Sequence, residues 1–268
     1  VDTLTSADLT VTGAINAANA TDNVTLAIAG DDANTITFAS DIGTGIAGTI
    51  DTVTVGAQDD NVDVNATFNG SLVAGAITIG NTNTSNADIY VVNFITAGAE
   101  TITGVVTEAR AADVTTLNFQ DSTDGAVADL ITVSSAVTVD TINVGDTAIS
   151  GNVKFDSLVT STIMVVDGGS GTAEASAVDL AAGHTGELNL DKNTNDATAT
   201  YSGAVATSQT GIVHAVTDGD GKVAVTNTVG TTFTLGIGTG IGVGEIEVGA
   251  TGVAIFNGVN DTQLLDID

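Results

Sequence analysis

Aspartates that stand beside glycine or beside a second aspartate are the residues of this sequence whose type and spacing point to chemistry. They occur in four short phrases: Asp31-Asp32, Asp59-Asp60, Asp167-Gly168-Gly169-Ser170-Gly171 and Asp218-Gly219-Asp220-Gly221. Calcium takes about six to eight oxygen ligands, and a tight loop of Asp and Gly turns carboxylates and carbonyls towards one point. The phrases are therefore candidate calcium sites, and Asp218, Asp220 and Asn227 form the best single cluster. The alternative is that they serve only as turns, because Asp-Gly is a favoured tight-turn dipeptide.

Other reaction chemistry has little support in the sequence. His184 and His214 stand 30 residues apart, whereas a zinc site needs a closer or richer set of nitrogen and sulphur ligands. A polysaccharide-cleaving enzyme needs paired carboxylates in a cleft, which the aspartate phrases would supply. However, the chain has one arginine, two tyrosines and no tryptophan with which to hold a sugar. We therefore expect no enzyme activity, and a polysaccharide-degrading β-helix enzyme is the most distant alternative.

Charge and composition restrict the partners and the location. The chain has 33 acidic residues against 4 basic ones, which gives a formal charge of -29. A field of that sign repels nucleic acid and anionic lipid and attracts divalent cations. Cysteine is absent and methionine occurs once, which is typical of an abundant exported protein without disulfides. No apolar run approaches the roughly 18 residues of a membrane-spanning helix. We expect an extracellular protein of the cell surface, with no nucleic-acid partner and no membrane insertion.

A phrase of alternating apolar and polar residues, closed by an aspartate, recurs in the middle of the chain. Its copies are Thr116–Asp121, Thr141–Asp146, Ile163–Asp167 and Glu187–Asp191, and the closing aspartates are 25, 21 and 24 residues apart. Alternation with a period of two indicates a strand. A repeat in the twenties indicates a solenoid, in which stacked units build one continuous core. The sequence therefore predicts an all-β, parallel β-solenoid that resembles a β-helix, with coils of roughly 24 residues. Tandem β-sandwich domains are the alternative, because short strands with frequent turns also describe a sandwich.

The same pattern predicts one elongated β domain over residues 1–268. Residues 107–113 interrupt it with good helix formers. They predict a short helical turn and the one candidate domain boundary, which would give 1–106 and 114–268. A second Ala-rich segment, residues 172–182, predicts another helical turn. Residues 89–95 are the longest nearly continuous apolar run, which predicts a strand covered on both faces.

The Thr-, Ala-, Gly-, Val-, Asp- and Asn-rich phrases, among them Thr116–Asp121, Thr141–Asp146 and Thr232–Val248, resemble those of bacterial surface-layer proteins and of the passenger regions of large secreted adhesins. The resemblance covers the whole chain and lies in composition and rhythm. It implies self-assembly into a surface lattice or fibre, often with calcium fixing the subunit contacts. We therefore expect a self-assembling extracellular structural protein that forms a surface layer or filament from copies of itself, assisted by calcium. The alternative is an adhesin or fibre that binds a receptor or a cell-surface glycan.

Overall fold

The chain forms a solenoid of short strands. The computed structural model describes residues 8–19, 23–29, 35–45, 50–56, 63–82, 87–122, 129–169 and 175–268, and this part of the chain contains strands and turns but no helix. The 23 strands belong to one hydrogen-bonded sheet. They are β1 Leu9–Val11, β2 Thr25–Ile28, β3 Thr35–Phe38, β4 Ile50–Val55, β5 Val64–Phe68, β6 Leu72–Ile79, β7 Ile89–Thr96, β8 Glu100–Glu108, β9 Val114–Asp121, β10 Ile131–Val133, β11 Val137–Val144, β12 Asn152–Phe155, β13 Val159–Asp167, β14 Ser176–Leu180, β15 His184–Asp191, β16 Ala197–Tyr201, β17 Thr207–Gln209, β18 Val213–Ala215, β19 Asp220–Val225, β20 Thr231–Phe233, β21 Val243–Val248, β22 Ala254–Phe256 and β23 Thr262–Ile267.

The strands stack in three parallel ladders, which we call face 1, face 2 and face 3. Face 1 contains β1, β3, β5, β7, β9, the second halves of β11, β13 and β15, and β18. Face 2 contains the starts of β6 and β8 and then β10, β12, β14, β16, β19, β21 and β23. Face 3 contains β2, β4, the ends of β6 and β8, the starts of β11, β13 and β15, and then β17, β20 and β22. Because a β-sandwich is built from antiparallel sheets, this parallel pairing confirms the solenoid and excludes the sandwich alternative.

The apolar repeat of the sequence sets the register of the coils. On face 1, Val92 aligns with Leu117 and Leu117 with Ile142, so one coil takes 25 residues at each of these steps. A one-residue slip would turn every one of these side chains to the solvent. The inward position is buried in coil after coil, at Val92, Leu117, Ile142, Met164, Leu188 and Val213. The single continuous core therefore fixes the period.

Aromatic side chains repeat in the same way two positions further along face 1. Phe38, Phe68, Phe94 and Phe119 are stacked with ring centroids 5.1, 5.5 and 5.3 Å apart. Outside the core, the alternate residues of these strands face the solvent. Ile89 is 47% exposed, so the prediction that residues 89–95 are covered on both faces is wrong. A solenoid has a single wall, and no second layer packs on its outer surface.

Glycine permits the sharp corners between faces. β15 bends from face 3 to face 1 at Gly186, where the register with β13 shifts. Gly186 has φ +128°, and a Cβ there would lie 1.8 Å from the carbonyl oxygen of Ser161 in the preceding coil. Only a residue without a side chain fits this close approach of two backbones.

Both predicted helical turns are wrong. β8 continues to Glu108 and β9 begins at Val114, so residues 109–113 form only a turn. Residues 172–174 lie outside the described ranges, and β14 occupies Ser176–Leu180 of the second segment. Helix propensity is a weak preference, and pairing with strands of the neighbouring coils outweighs it. The ladders pass residues 107–113 without interruption, through β7 with β9 and β8 with β10. The division into 1–106 and 114–268 stays a prediction.

Candidate functional site

The predicted calcium ligands lie at separate strand ends. Asp31, Asp32, Asp59 and Asp60 fall outside the described residues. Asp167 is the last residue of β13, whereas Asp218 and Asp220 flank the turn into β19. Across the described ranges, no three His, Cys, Asp or Glu side chains stand close enough together to hold a metal ion. Calcium binding at these aspartates stays a prediction.

The cluster predicted from Asp218, Asp220 and Asn227 does not form. The carboxylate of Asp218 accepts the backbone N–H of Gly242 in the next coil at 3.0 Å. Asp220 begins β19, and Asn227 follows the far end of that strand. The buried Asn227 side chain instead fixes its own turn, since its Oδ1 accepts the N–H of Val229 at 2.8 Å. Each of these side chains has a turn or coil-joining role, which sequence spacing alone did not reveal.

Asp167 belongs to a column of carboxylates on face 1. It aligns with Asp191 of the next coil, and its Oδ1 accepts the N–H of Gly169 at 2.9 Å and the side-chain amide of Asn193 at 2.6 Å. Burial raises the pKa of Asp191, and the negative charges of Asp167 and Asp220 raise it further. This side of the molecule therefore has a concentrated negative potential.

A polar concavity of about 340 Å³ opens beside Asp167 on the outer surface of face 1. It is lined by the side of a turn and by outward positions of three coils, namely Asn118, Gln120, Asn143, Gly145, Asp146, Thr147, Val165 and Asp167. Asp146 is held rigidly there, because its carboxylate accepts the Gln120 amide at 2.6 Å and the N–H groups of Ala148 and Ile149 at 2.7 and 2.8 Å. The site offers fixed amide and carboxylate groups to a polar ligand.

A ladder of asparagine amides ends at this concavity. Asn93 donates to Asn65, Asn118 to Asn93 and Asn143 to Asn118, each at 2.8 Å. In the next coil Val165 occupies the aligned position, so the donor-to-acceptor sequence stops at Asn143. The sequence signal for this ladder was the asparagine that recurs at one position of the repeated phrase, but that position was interpreted only as an outward polar residue.

The two histidines have different surroundings, and neither belongs to a metal group. His184 is fully buried. Its Nε2 accepts the Ser161 hydroxyl at 2.8 Å and its Nδ1 donates to Gln209 Oε1 at 3.2 Å. Burial lowers the pKa of His184 to about 4. His214 lies on the surface of face 1, where its Nε2 is 2.8 Å from Glu187 Oε1. The Ser161–His184 pair resembles a nucleophile and its base, but it is closed inside the core, where no substrate reaches it.

The last coil leaves one strand edge open. β22 pairs only with β20, and β23 pairs only with β21. Leu265 and Ile267 align with the buried Ile246 and Val248, yet they are 51% and 66% exposed. The N–H of Asp268 donates to Val248 at 3.1 Å. Since alternate residues of a parallel strand bond to opposite neighbours, the N–H groups of Leu265 and Ile267 point away from the solenoid.

Comparisons with family models, with curated proteins and with solved structures gave no match. Within the described ranges, no helix has the length and hydropathy that a membrane span requires. The function is therefore argued from the contacts and charges of this chain alone.

Proposed function

We propose that this chain is an extracellular structural protein that assembles with copies of itself, end to end, into a cell-surface layer or filament. The observation that carries the proposal is the open edge of the last coil, where unpaired strand amides and half-exposed core side chains lie side by side. Exposed edges of this kind pair with another strand unless they are covered. The composition, acidic and free of cysteine, supports the extracellular location.

The two ends of the solenoid fit each other. Within the described residues, β1 pairs only with β3 and β2 only with β4, so the first described coil also has an edge with no strand on it. Leu9, Val11 and Leu26 of that coil are partly buried against the core. All strands run in the same direction, so the last coil of one copy continues the ladders onto the first coil of the next. A head-to-tail contact that does not close on itself produces a filament.

Net charge opposes this contact. Copies with a formal charge of -29 repel one another, and divalent cations or added salt reduce the repulsion. We propose that calcium assists assembly in this way.

The test compares two lysine substitutions at adjacent residues. Leu265 aligns with the core residue Ile246, whereas Leu264 aligns with the outward Glu245. Leu265→Lys places a charge at the end of the core and is expected to give monomers by light scattering after size-exclusion chromatography. Leu264→Lys carries the same charge on the side of the coil and is expected to form the filaments or sheets of the unmodified chain in negative stain. An unmodified chain that stays a monomer at high concentration, with and without calcium, would overturn the proposal.

A second candidate function is glycan binding by an adhesin or fibre, and the polar concavity favours it. Its rigid amides and carboxylates match the hydroxyl groups of a sugar. On a glycan array, Asn143→Leu is expected to abolish binding, because it removes the amide that ends the ladder in the concavity. Asn65→Leu, at the other end of the ladder, is the matched control and is expected to bind normally. Equal binding by both variants would place any glycan elsewhere.

A further inference from the structure

Two buried carboxylates meet where successive coils turn from face 3 to face 1. Asp88 precedes β7 and Asp113 precedes β9, and the aligned residues that follow them, Ile89 and Val114, place the two aspartates one coil apart. The N–H of Val114 donates to the carbonyl oxygen of Asp88 at 2.9 Å. Asp88 is 4% exposed and Asp113 is 3% exposed. This pair, which we call the Asp88–Asp113 corner, lies inside the coil stack and far from the open edge.

The hydrogen bonds present do not satisfy these carboxylates. Asp88 Oδ2 accepts the Asn81 side-chain amide at 2.9 Å and the Tyr90 hydroxyl at 3.4 Å. Asp113 Oδ1 is 3.6 Å from Arg110 Nη1 and 3.5 Å from the N–H of Asp88, which is longer than the roughly 2.7–2.9 Å of a charge-assisted hydrogen bond. Asp113 Oδ2 is buried and has no partner. A buried carboxylate oxygen without a partner is costly.

The corner also lacks positive charge. Burial raises the pKa of Glu108, and the charges of Asp140 and Asp113 raise it further. Arg110 is the one basic side chain that contacts the pair. The three lysines, Lys154, Lys192 and Lys222, pair with other carboxylates.

The orphaned oxygen faces a gap in side-chain packing. Gly80 has φ +105°, and the position of an added Cβ there lies 3.0 Å from Asp113 Oδ2. Gly80 therefore leaves the space beside this oxygen free of side-chain atoms. Asn81, the next residue, contributes an amide on the same side of the corner as Asp88.

We propose that the Asp88–Asp113 corner binds a hard divalent cation of the calcium type. The carboxylates of Asp88 and Asp113 and the amide oxygen of Asn81 are the protein ligands, and water completes the coordination. Oxygen ligands of this kind suit calcium, and no histidine or cysteine is present to select a softer metal. The ion joins two adjacent coils within one chain, so its binding does not require self-assembly.

Terbium provides a direct test, because it replaces calcium and its emission is sensitised by a nearby aromatic side chain. The chain has two tyrosines and no tryptophan. Tyr90 contacts Asp88, whereas Tyr201 is buried in the network of Gln209. Excitation of tyrosine is expected to give terbium emission that calcium displaces. Asp113→Asn is expected to weaken terbium binding at least tenfold. Asp156→Asn, at a surface carboxylate paired with Lys154, is the matched control and is expected to bind as the unmodified chain does.

Two further measurements separate the site from a folding defect. Tyr90→Phe is expected to lose the emission while calorimetry still detects calcium. In chelator, Asp113→Asn is expected to unfold at a higher urea concentration than the unmodified chain, because it removes an unpaired buried charge, and in calcium the order is expected to reverse. Absence of sensitised emission from the unmodified chain, or undiminished emission from Asp113→Asn, would overturn the proposal. These readouts can be repeated in the monomeric Leu265→Lys background, so a failure of self-assembly does not affect them.

Discussion

Acidification from pH 8 to pH 5 is expected to remove about 2 kcal/mol from the free energy of unfolding through His184. The folded pKa of this histidine is about 4 and its unperturbed value is 6.5. Because the folded pKa is the lower one, the unfolded state binds the proton first. The stabilisation is complete above pH 6.5 and is lost as the pH falls from 6.5 towards 4. At pH 5 the unfolded histidine is almost fully protonated, while the folded one remains mostly neutral.

Urea unfolding at pH 8, 7, 6 and 5, followed by far-ultraviolet circular dichroism, measures this loss. His184→Gln cannot titrate, so the stability difference between the unmodified chain and this variant should shrink by about 2 kcal/mol between pH 8 and pH 5. The subtraction cancels carboxylates that both chains share, such as Glu108 and Asp191, whose raised pKa values favour the folded state in acid. His214→Gln, at the surface, should keep the full decline. A difference that stays constant with pH would refute the account of His184 as a buried neutral base.

Three substitutions test other parts of the fold by urea unfolding. Phe94→Ala removes one ring from the aromatic stack and is expected to cost about 3–5 kcal/mol, whereas Phe94→Leu should cost much less. Asn118→Ala breaks the amide ladder on both sides and is expected to cost about 1–3 kcal/mol; a neutral result would show that solvent replaces both bonds without loss. Gly186→Ala forces a Cβ against the carbonyl oxygen of Ser161 and is expected to destabilise strongly. Gly13→Ala, where a Cβ meets nothing within 4 Å, is its control, and equal stability of the two variants would contradict the proposed strain.

The period of the solenoid was predictable because every coil must present apolar side chains at the same inward positions. Leu117 and Ile142 carry that information locally, and their alignment across coils follows from burial alone. The segment around Ser176–Leu180 was mispredicted because its alanines favour a helix, whereas the strands on either side of it decide the outcome. Local propensity contains no information about a neighbour some 25 residues away.

The sites were harder to predict than the fold. Asp218, Asp220 and Asn227 are close in sequence, but β19 carries Asn227 to the other end of the strand. Asp88 and Asp113 are far apart in sequence, and the period brings them to one corner. Spacing by one coil, rather than adjacency, is therefore the relevant distance in this sequence. The turn conformations that bury a carboxylate or expose it depend on packing between coils, which no single phrase contains.

The parallel ladders also determine how the molecule would carry a load. The hydrogen bonds that join one coil to the next run along the solenoid axis, as does the asparagine ladder. Tension applied between the two ends therefore pulls directly on these bonds, and the coil at an end separates before the coils behind it are strained. Each coil that peels away releases about 25 residues, or roughly 80 Å of extended chain. The solenoid is thus an extensible element that lengthens in discrete steps, and a cation that clamps two adjacent coils would mark the point at which the lengthening pauses.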